Sequence, residues 1–327
     1  MNEPANEPEL DPSIIPVYED VVVAHARIEP YIHRTPVLTS EFMNDLTGAQ
    51  LFFKCENLQK AGAFKARGAS NAVFGLSDRG AQRGVATHSS GNHGLCLSYA
   101  AGRRGIPISV VVPRTAPEAK KDAMRGYGAT VVECDPSTSS REAVFAEVVA
   151  KSGADFVHPY NDPRVIAGQG TCSKELIEQI GNLDAIIAPI GGGGMISGTC
   201  LAISNISPNT RIYAAEPEQA DDAHQSLKKG RIIADDAPIT VADGLKVPLK
   251  NLTWHFVRNH VSDILLASEQ EIVDAMFVIW QRMKIVVEPS SAVTLATILK
   301  NKELFAGKRI GVVITGGNVD LKKLPWM

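Results

Sequence analysis

The sequence predicts an α/β protein in which helices cover both faces of parallel sheets, and two observations support that prediction. Short apolar runs rich in β-branched residues recur along the chain, and amphipathic segments long enough to cross back over a sheet separate them. The predicted strands are residues 85–87, 108–112, 130–132, 156–157, 185–190, 211–215 and 309–314, and the clearest helical patterns are 116–127, 140–151 and 269–283. Repeated β-α-β units of this kind give parallel sheets.

The length of the chain favours two lobes. It has 327 residues, of which 44% are hydrophobic, so it can bury a large core. We place a smaller inserted α/β lobe at 84–158, with a larger lobe formed by 16–83 and 159–327; Pro159 and Pro163 mark the return. Residues 1–15 are acidic and proline-rich, without the features of a signal or transit peptide, and are predicted to form a disordered tail.

Composition excludes several classes of function. A net charge of −3 provides no basic field for nucleic acid, and no apolar stretch reaches the roughly 20 residues of a membrane helix. The five cysteines lie far apart without a CxxC pair, which argues against a zinc site and a disulfide framework. We therefore expect a cytoplasmic protein that binds neither nucleic acid nor membrane.

Four unusual segments directly follow predicted strands: residues 88–94, 191–194, 216–217 and 315–318. In open parallel sheets, ligands bind at the carboxyl ends of the strands, so we expect these four segments to face one crevice.

The glycine run in the second segment predicts a phosphate site. Successive glycines before a helix let backbone N–H groups converge on an anion, although a tight turn without ligand is the alternative. A dinucleotide fingerprint fails because Ile196 and Ser197 occupy the position of its third glycine, and no Walker A loop occurs. A monophosphate is the simplest ligand for Gly191, Gly192, Gly193 and Gly194.

The remaining candidates are ambiguous when each is taken alone. Apolar neighbours of Lys65 favour a lowered pKa of its amine, yet the same local sequence also suits an ordinary solvated lysine on a helix. Ser89 and Ser90 precede a predicted helix that starts near Gly94, so they are equally suited to helix capping.

Taken together, five motifs resemble the serine racemase and serine/threonine dehydratase family of fold type II pyridoxal-phosphate enzymes. They are AFKARGA at 63–69, SSGNHG at 89–94, the tetraglycine, EPSSA at 288–292 and TGGNVD at 315–320, and the resemblance covers nearly the whole chain after residue 16. It implies two doubly wound lobes like those of the tryptophan synthase β subunit, a homodimer, and a small hydroxy amino acid as substrate. The chain stops seven residues after Asp320, so we expect no C-terminal regulatory domain.

The resemblance also implies how pyridoxal 5'-phosphate is held. Lys65 would be the Schiff-base lysine with Phe64 beside the ring, and the four glycines with Met195 would form the phosphate cup. Asn92 would contact the phenolic oxygen, and the hydroxyl of Thr315 would contact the pyridine nitrogen. A neutral partner at that nitrogen weakens the electron sink, which suits elimination and racemisation over transamination.

Substrate contacts and the reaction follow from the same resemblance. The substrate carboxylate would bind the loop of Ser89, Ser90, Asn92 and His93, with Arg141 near the substrate. Ser90 would be an acid/base opposite Lys65, where many plain dehydratases have alanine. This favours a serine racemase that interconverts L- and D-serine and also eliminates water to give pyruvate and ammonia; threo-3-hydroxyaspartate ammonia-lyase and L-serine/L-threonine dehydratase are the alternatives. A non-catalytic cofactor carrier is the rival of another class, and the intact Lys65, Ser90 and Asn92 argue against it.

A divalent cation completes the implied site. Glu216, Asp222 and the carbonyl of Ala220 match the family's Mg²⁺ or Ca²⁺ ligands, although acidic residues in a first helical turn have the same pattern. Whether ATP is an effector stays open. Ala63, Tyr160 and Val247 depart from residues common in relatives, which puts the substrate preference in doubt.

Overall fold

The computed structural model describes residues 10–235 and 237–327. Its strands are β1 (Val37–Leu38), β2 (Gln50–Cys55), β3 (Val85–Thr87), β4 (Ile108–Pro113), β5 (Thr130–Cys134), β6 (Asp155–Phe156), β7 (Ala185–Pro189), β8 (Arg211–Pro217), β9 (Asp263–Ala267) and β10 (Arg309–Ile314). Its helices are α1 (Tyr18–Ile28), α2 (Glu41–Thr47), α3 (Lys65–Phe74), α4 (Asp78–Arg83), α5 (Asn92–Arg104), α6 (Glu118–Gly126), α7 (Thr138–Ser152), α8 (Pro163–Ile180), α9 (Gly194–Ile206), α10 (Asp222–Lys229), α11 (Asn251–His260), α12 (Glu269–Met283), α13 (Pro289–Lys300) and α14 (Lys302–Phe305).

The strands form two sheets. One has six strands in the order β1-β2-β10-β7-β8-β9, and the other has four in the order β5-β4-β3-β6. Every pair is parallel except β1 with β2. The predicted α/β class with parallel sheets is thus confirmed, and the strands of the smaller sheet lie within the range we predicted for the inserted lobe.

The differences from the predicted elements are local. Strands β1, β2 and β9 were not predicted, and α5 begins at Asn92, two residues before the expected start. Residues 1–9 of the predicted tail lie outside the described residues. Residues 10–15 include a 3-10 helix at Pro12–Ile14 that is capped by Asp11, and Leu10 and Ile15 pack against the core.

Four buried charged side chains beside the larger sheet fix the base of α3. All five N–H groups of the Arg67 guanidinium are used, by Glu56, Glu175 and Thr171, at 2.7–3.1 Å. The Lys54 ammonium donates to Glu175 and to two neutral oxygens at 2.7–2.8 Å. Two cations and two carboxylates balance in charge, so this network ties β2 and α8 to the helix that begins at Lys65 without leaving a buried charge unpaired.

No helix in the described part of the chain is long and apolar enough to cross a membrane.

Candidate active site

A cavity of about 470 Å³ opens between the two sheets at the carboxyl ends of their strands. The segments after β3, β7 and β10 line it, as predicted from the sequence. The fourth predicted segment does not: β8 continues through Pro217, and Glu216 turns toward the start of α10. Three of the four segments therefore meet at one crevice.

The tetraglycine forms one wall of the cavity and has no room for side chains. A Cβ on Gly191 would lie 2.8 Å from the Leu245 backbone, and one on Gly193, whose φ is +84°, would lie 2.7 Å from Leu249. Among the described residues, the amide N–H groups of the four glycines donate to no other backbone group. Unused amide donors at the start of α9 form the kind of cradle that binds a phosphate monoester, so the residues present fit that group.

Lys65 is the first residue of α3 and reaches the cavity. Its Nζ donates to the carbonyl of Pro159 at 2.6 Å and lies 5.0 Å from the centre of the Phe64 ring. Burial lowers the pKa of this amine to about 8. An amine that is partly neutral at physiological pH is suited to imine formation and to proton transfer.

The predicted contact to a ring nitrogen, Thr315, lies at the end of β10 and is buried. Its hydroxyl oxygen is 3.0 Å from that of Ser291. The Ser291 hydroxyl has a second acceptor in the carbonyl of Gly316, at 2.8 Å. Because Ser291 has one hydroxyl proton, the Thr315 proton is available for an acceptor in the cavity only when Ser291 donates to Thr315 instead of to Gly316.

The serine loop lines the opposite side. Ser89 accepts the N–H of Gly91 at 3.4 Å, and no described residue forms a hydrogen bond with the Ser90 hydroxyl. His93 is buried, and its Nε2 donates to the carbonyl of Val157 at 3.0 Å. Since burial holds the pKa of this ring low, the ring is neutral and Nδ1 is an acceptor without a described partner. Burial lowers the pKa of His93 well below its usual value. The side chain of His93 thus brings no positive charge to a carboxylate.

Arg141, on α7, also lines the cavity. Its Nε is buried and has no hydrogen-bond partner among the described residues. Two histidines close by are held neutral: burial lowers the pKa of His88, and it lowers that of His158 to about 3. The guanidinium is therefore a cationic donor beside the cavity that lacks a protein anion at Nε.

The predicted metal ligands lie away from the cavity. Glu216 is fully buried and accepts the N–H groups of Ala223 and His224 at 3.0 and 2.9 Å, so it caps α10. Burial and the neighbouring Asp222 raise the pKa of Glu216, and burial raises that of Asp222 to about 7.

Asp222 Oδ2 is buried without a partner in the described chain. No three His, Cys, Asp or Glu side chains gather around a metal position among residues 10–235 and 237–327. Two carboxylates with one unpaired oxygen still fit a cation that takes its other ligands from carbonyls and water.

Several residues at the cavity had no role predicted from the sequence. Glu288 and Asn318 both form hydrogen bonds with Asn92, although the sequence placed them only within the motifs at 288–292 and 315–320, without a role of their own. Lys120 on α6 and Asp243 form a 3.4 Å ion pair at the cavity wall. No spacing rule connects these residues, which are 123 to 226 positions from their partners.

The chain is similar to known enzymes over nearly its whole length. The family model "Pyridoxal-phosphate dependent enzyme" matches residues 28–316. A β-hydroxyaspartate dehydratase of Paracoccus denitrificans is 71% identical over 95% of this chain and 99% of its own length. The crystal structure of serine racemase from Dictyostelium discoideum superposes with a TM-score of 0.91 at 48% identity, over 94% of this chain and all of that one. An L-threo-3-hydroxyaspartate ammonia-lyase of Saccharomyces cerevisiae is 44% identical over 95% of each chain.

Proposed function

This chain belongs to the pyridoxal-phosphate dependent enzyme family, and on that premise we propose that it is a 3-hydroxyaspartate ammonia-lyase. The reaction removes the Cα proton and the β-hydroxyl as water. The resulting enamine tautomerises to an imine, whose hydrolysis gives oxaloacetate and ammonia. The sequence motifs favour serine racemase first and this activity second; Arg141 and the dehydratase relative at 71% identity support the reversed order.

Different residues of the cavity would hold different parts of the cofactor. Gly191, Gly192, Gly193, Gly194 and Met195 would hold the phosphate, Asn92 the phenolic oxygen, Thr315 the ring nitrogen and Lys65 the aldehyde carbon. When bound, pyridoxal phosphate supplies an electron sink that acidifies the Cα–H bond of the attached amino acid.

Lys65 would remove the Cα proton. Its lowered pKa gives it a neutral fraction at physiological pH, and the carbonyl of Pro159, 2.6 Å from Nζ, holds the amine at the cavity wall. The carbonyl also stabilises the ammonium that forms after proton transfer. Tyr160 and Leu245 lie against the glycine loop and leave no room for a Cβ at Gly192 or Gly191.

The unpaired Nε of Arg141 is the observation that supports a dicarboxylate substrate. A buried cationic donor without a partner is costly, and a substrate carboxylate removes that cost. Serine and threonine have a single carboxylate, which the serine loop and the start of α5 would take. A second carboxylate fits beside Arg141, where the neutral His88 and His158 do not compete for it.

Substrate comparison tests the proposal. We expect kcat/KM for ammonia release from one diastereomer of L-3-hydroxyaspartate to exceed that for L-serine and L-threonine by about 100-fold, the size of one charge-assisted contact. Oxaloacetate must appear in equal amount to ammonia. Turnover of serine or threonine at an equal or higher kcat/KM would overturn the assignment.

Serine racemisation is the second candidate, and Ser90 favours it. Its hydroxyl lines the cavity without a bond to the described residues, so it is available as a proton donor. Ser90→Ala should suppress formation of D-serine from L-serine while elimination continues. Equal loss of both activities would contradict a separate role for Ser90.

We further propose that Glu216, Asp222 and the Ala220 carbonyl bind Mg²⁺ or Ca²⁺. The support is the unpaired Asp222 Oδ2 and the raised pKa of both carboxyl groups, which a cation would lower. The homodimer and the cytoplasmic location stay predictions.

A further inference from the structure

A strained turn lies just ahead of Lys65. Ala61 and Gly62 have φ values of 55° and 70°, the left-handed region that is costly for alanine. The turn is held by Asn318, whose Nδ2 donates to the Ala61 carbonyl at 2.9 Å. A Cβ on Gly62 would lie 2.5 Å from Asn318 Oδ1, so glycine makes room for that amide.

The Ala61 carbonyl fixes the direction of a chain of amides. Because a carbonyl only accepts, the nitrogen of Asn318 must face it, and the same nitrogen donates to Asn92 Oδ1 at 2.9 Å. The nitrogen of Asn92 must then face the other way. There it donates to the two carboxylate oxygens of Glu288 at 2.9 and 3.1 Å. Neither amide can flip without placing two donors or two acceptors against each other.

One N–H of Asn92 remains free in this arrangement. The two Glu288 oxygens subtend roughly 40° at the Asn92 nitrogen, whereas the two N–H bonds of an amide diverge by about 120°, so one hydrogen serves both oxygens. Asn92 lines the cavity, and its second N–H has no acceptor among the described residues.

We propose that Glu288 is a positioning residue that, together with Asn318, orients the Asn92 amide so that its second N–H faces the phenolic oxygen of the cofactor. Glu288 is buried and also accepts the backbone N–H of Asn318 at 3.3 Å, so its carboxylate has a fixed place. The inference rests on the assignment of Asn92 to the cofactor and not on the choice of substrate.

The test is a double-mutant cycle read by cofactor binding. We would measure the dissociation constant of pyridoxal phosphate and the absorbance band of the bound cofactor for Glu288→Leu, Asn92→Ala and the double variant. Glu288→Leu should raise the dissociation constant about tenfold, the value of one oriented hydrogen bond, and shift the band. On the Asn92→Ala background the same change should alter it less than twofold. Glu288→Gln keeps one acceptor oxygen for Asn92 but turns its amide nitrogen toward the Asn318 backbone N–H, so its effect should be smaller than that of Glu288→Leu.

Two further variants distinguish the proposed effect on Asn92 from misfolding and from a general loss of packing around the site. Asn318→Asp keeps the shape of the side chain but cannot donate, so it should weaken cofactor binding in the same non-additive way. Thr297→Val removes a buried hydrogen bond of α13, from the Thr297 hydroxyl to the Thr294 carbonyl, that does not reach the cavity, and it should leave the absorbance band unchanged. The proposal is overturned if Glu288→Leu and Asn318→Asp leave the band and the dissociation constant unchanged, or if their effects are the same size without Asn92. These readouts use no substrate, so they are independent of the proposed reaction.

Discussion

The ring of Tyr160 lies against Gly192 so closely that a Cβ at Gly192 would stand 2.5 Å from two ring carbons. Tyr160 is buried, and its ring is in edge contact with His158 at 4.6 Å, so it has little freedom to retreat.

Gly192→Ala should therefore displace the glycine loop and lower retention of the cofactor. We expect a rise of at least about tenfold in the dissociation constant of pyridoxal phosphate, because distorting the loop removes one or more amide contacts. Equilibrium dialysis measures it. Gly126→Ala is the matched control: no atom lies within 4 Å of its Cβ, so cofactor binding should not change.

The pKa of Lys65 predicts how cofactor uptake depends on pH. At pH 7, an amine of pKa about 8 is neutral in about one molecule in ten, against about three in ten thousand for an ordinary lysine. Because only the neutral amine forms an imine, the uptake rate of apoprotein should rise up to about pH 8 and level off above it. Stopped-flow absorbance would follow the rate, and a continued rise toward pH 10 would show that burial does not lower this pKa.

Arg141→Gln should separate the substrates. Loss of the guanidinium removes the contact proposed for the second carboxylate, so kcat/KM for 3-hydroxyaspartate should fall about 100-fold while that for L-serine changes by less than about threefold. Arg114→Gln, which loses an exposed ion pair with Asp135 beside the same four-stranded sheet, is the control. A parallel fall for both substrates would place Arg141 at the carboxylate that they share.

Arg67→Met should destabilise the fold. It leaves Glu56 and Glu175 buried beside one remaining cation, which costs about 3–5 kcal/mol of unfolding free energy. Breaking the exposed Arg114–Asp135 pair should cost at most about 1 kcal/mol. Denaturant unfolding of the two variants side by side measures the difference.

A bound cation should be visible as stabilisation. Mg²⁺ or Ca²⁺ should raise the unfolding temperature of the wild type by a few degrees, and Asp222→Asn should abolish that rise because it removes the unpaired ligand oxygen. Without metal, Asp222→Asn should be more stable than the wild type, since it removes a buried negative charge next to Glu216. Asp221→Asn, whose partner is Gln225, serves as the control.

Local patterns were enough to predict the parallel sheets and the crevice, because apolar runs and glycine clusters are features of contiguous residues. Strand β2 escaped prediction for a physical reason: it contains Lys54, and a lysine inside a strand suggests solvent until its partner Glu175, 121 positions away, is known. Glu288 was hidden in the same way, since its bond to Asn92 spans 196 positions. Glu216 was predicted to face the crevice only because its strand was taken to end two residues early.

The two sheets carry different parts of the candidate site. Lys65, the glycine loop and Thr315 follow β2, β7 and β10 of the larger sheet, while Ser89, Ser90 and Arg141 follow β3 and β5 of the smaller one. Most contacts proposed for the cofactor thus come from the larger sheet, and those proposed for the substrate come from the smaller one; Asn92, at the start of α5, is the exception because it is assigned to the cofactor. Exchanging the segment 84–158 between relatives of different substrate preference should transfer that preference and leave the cofactor chemistry in place. The same catalytic lysine would then act on a different amino acid.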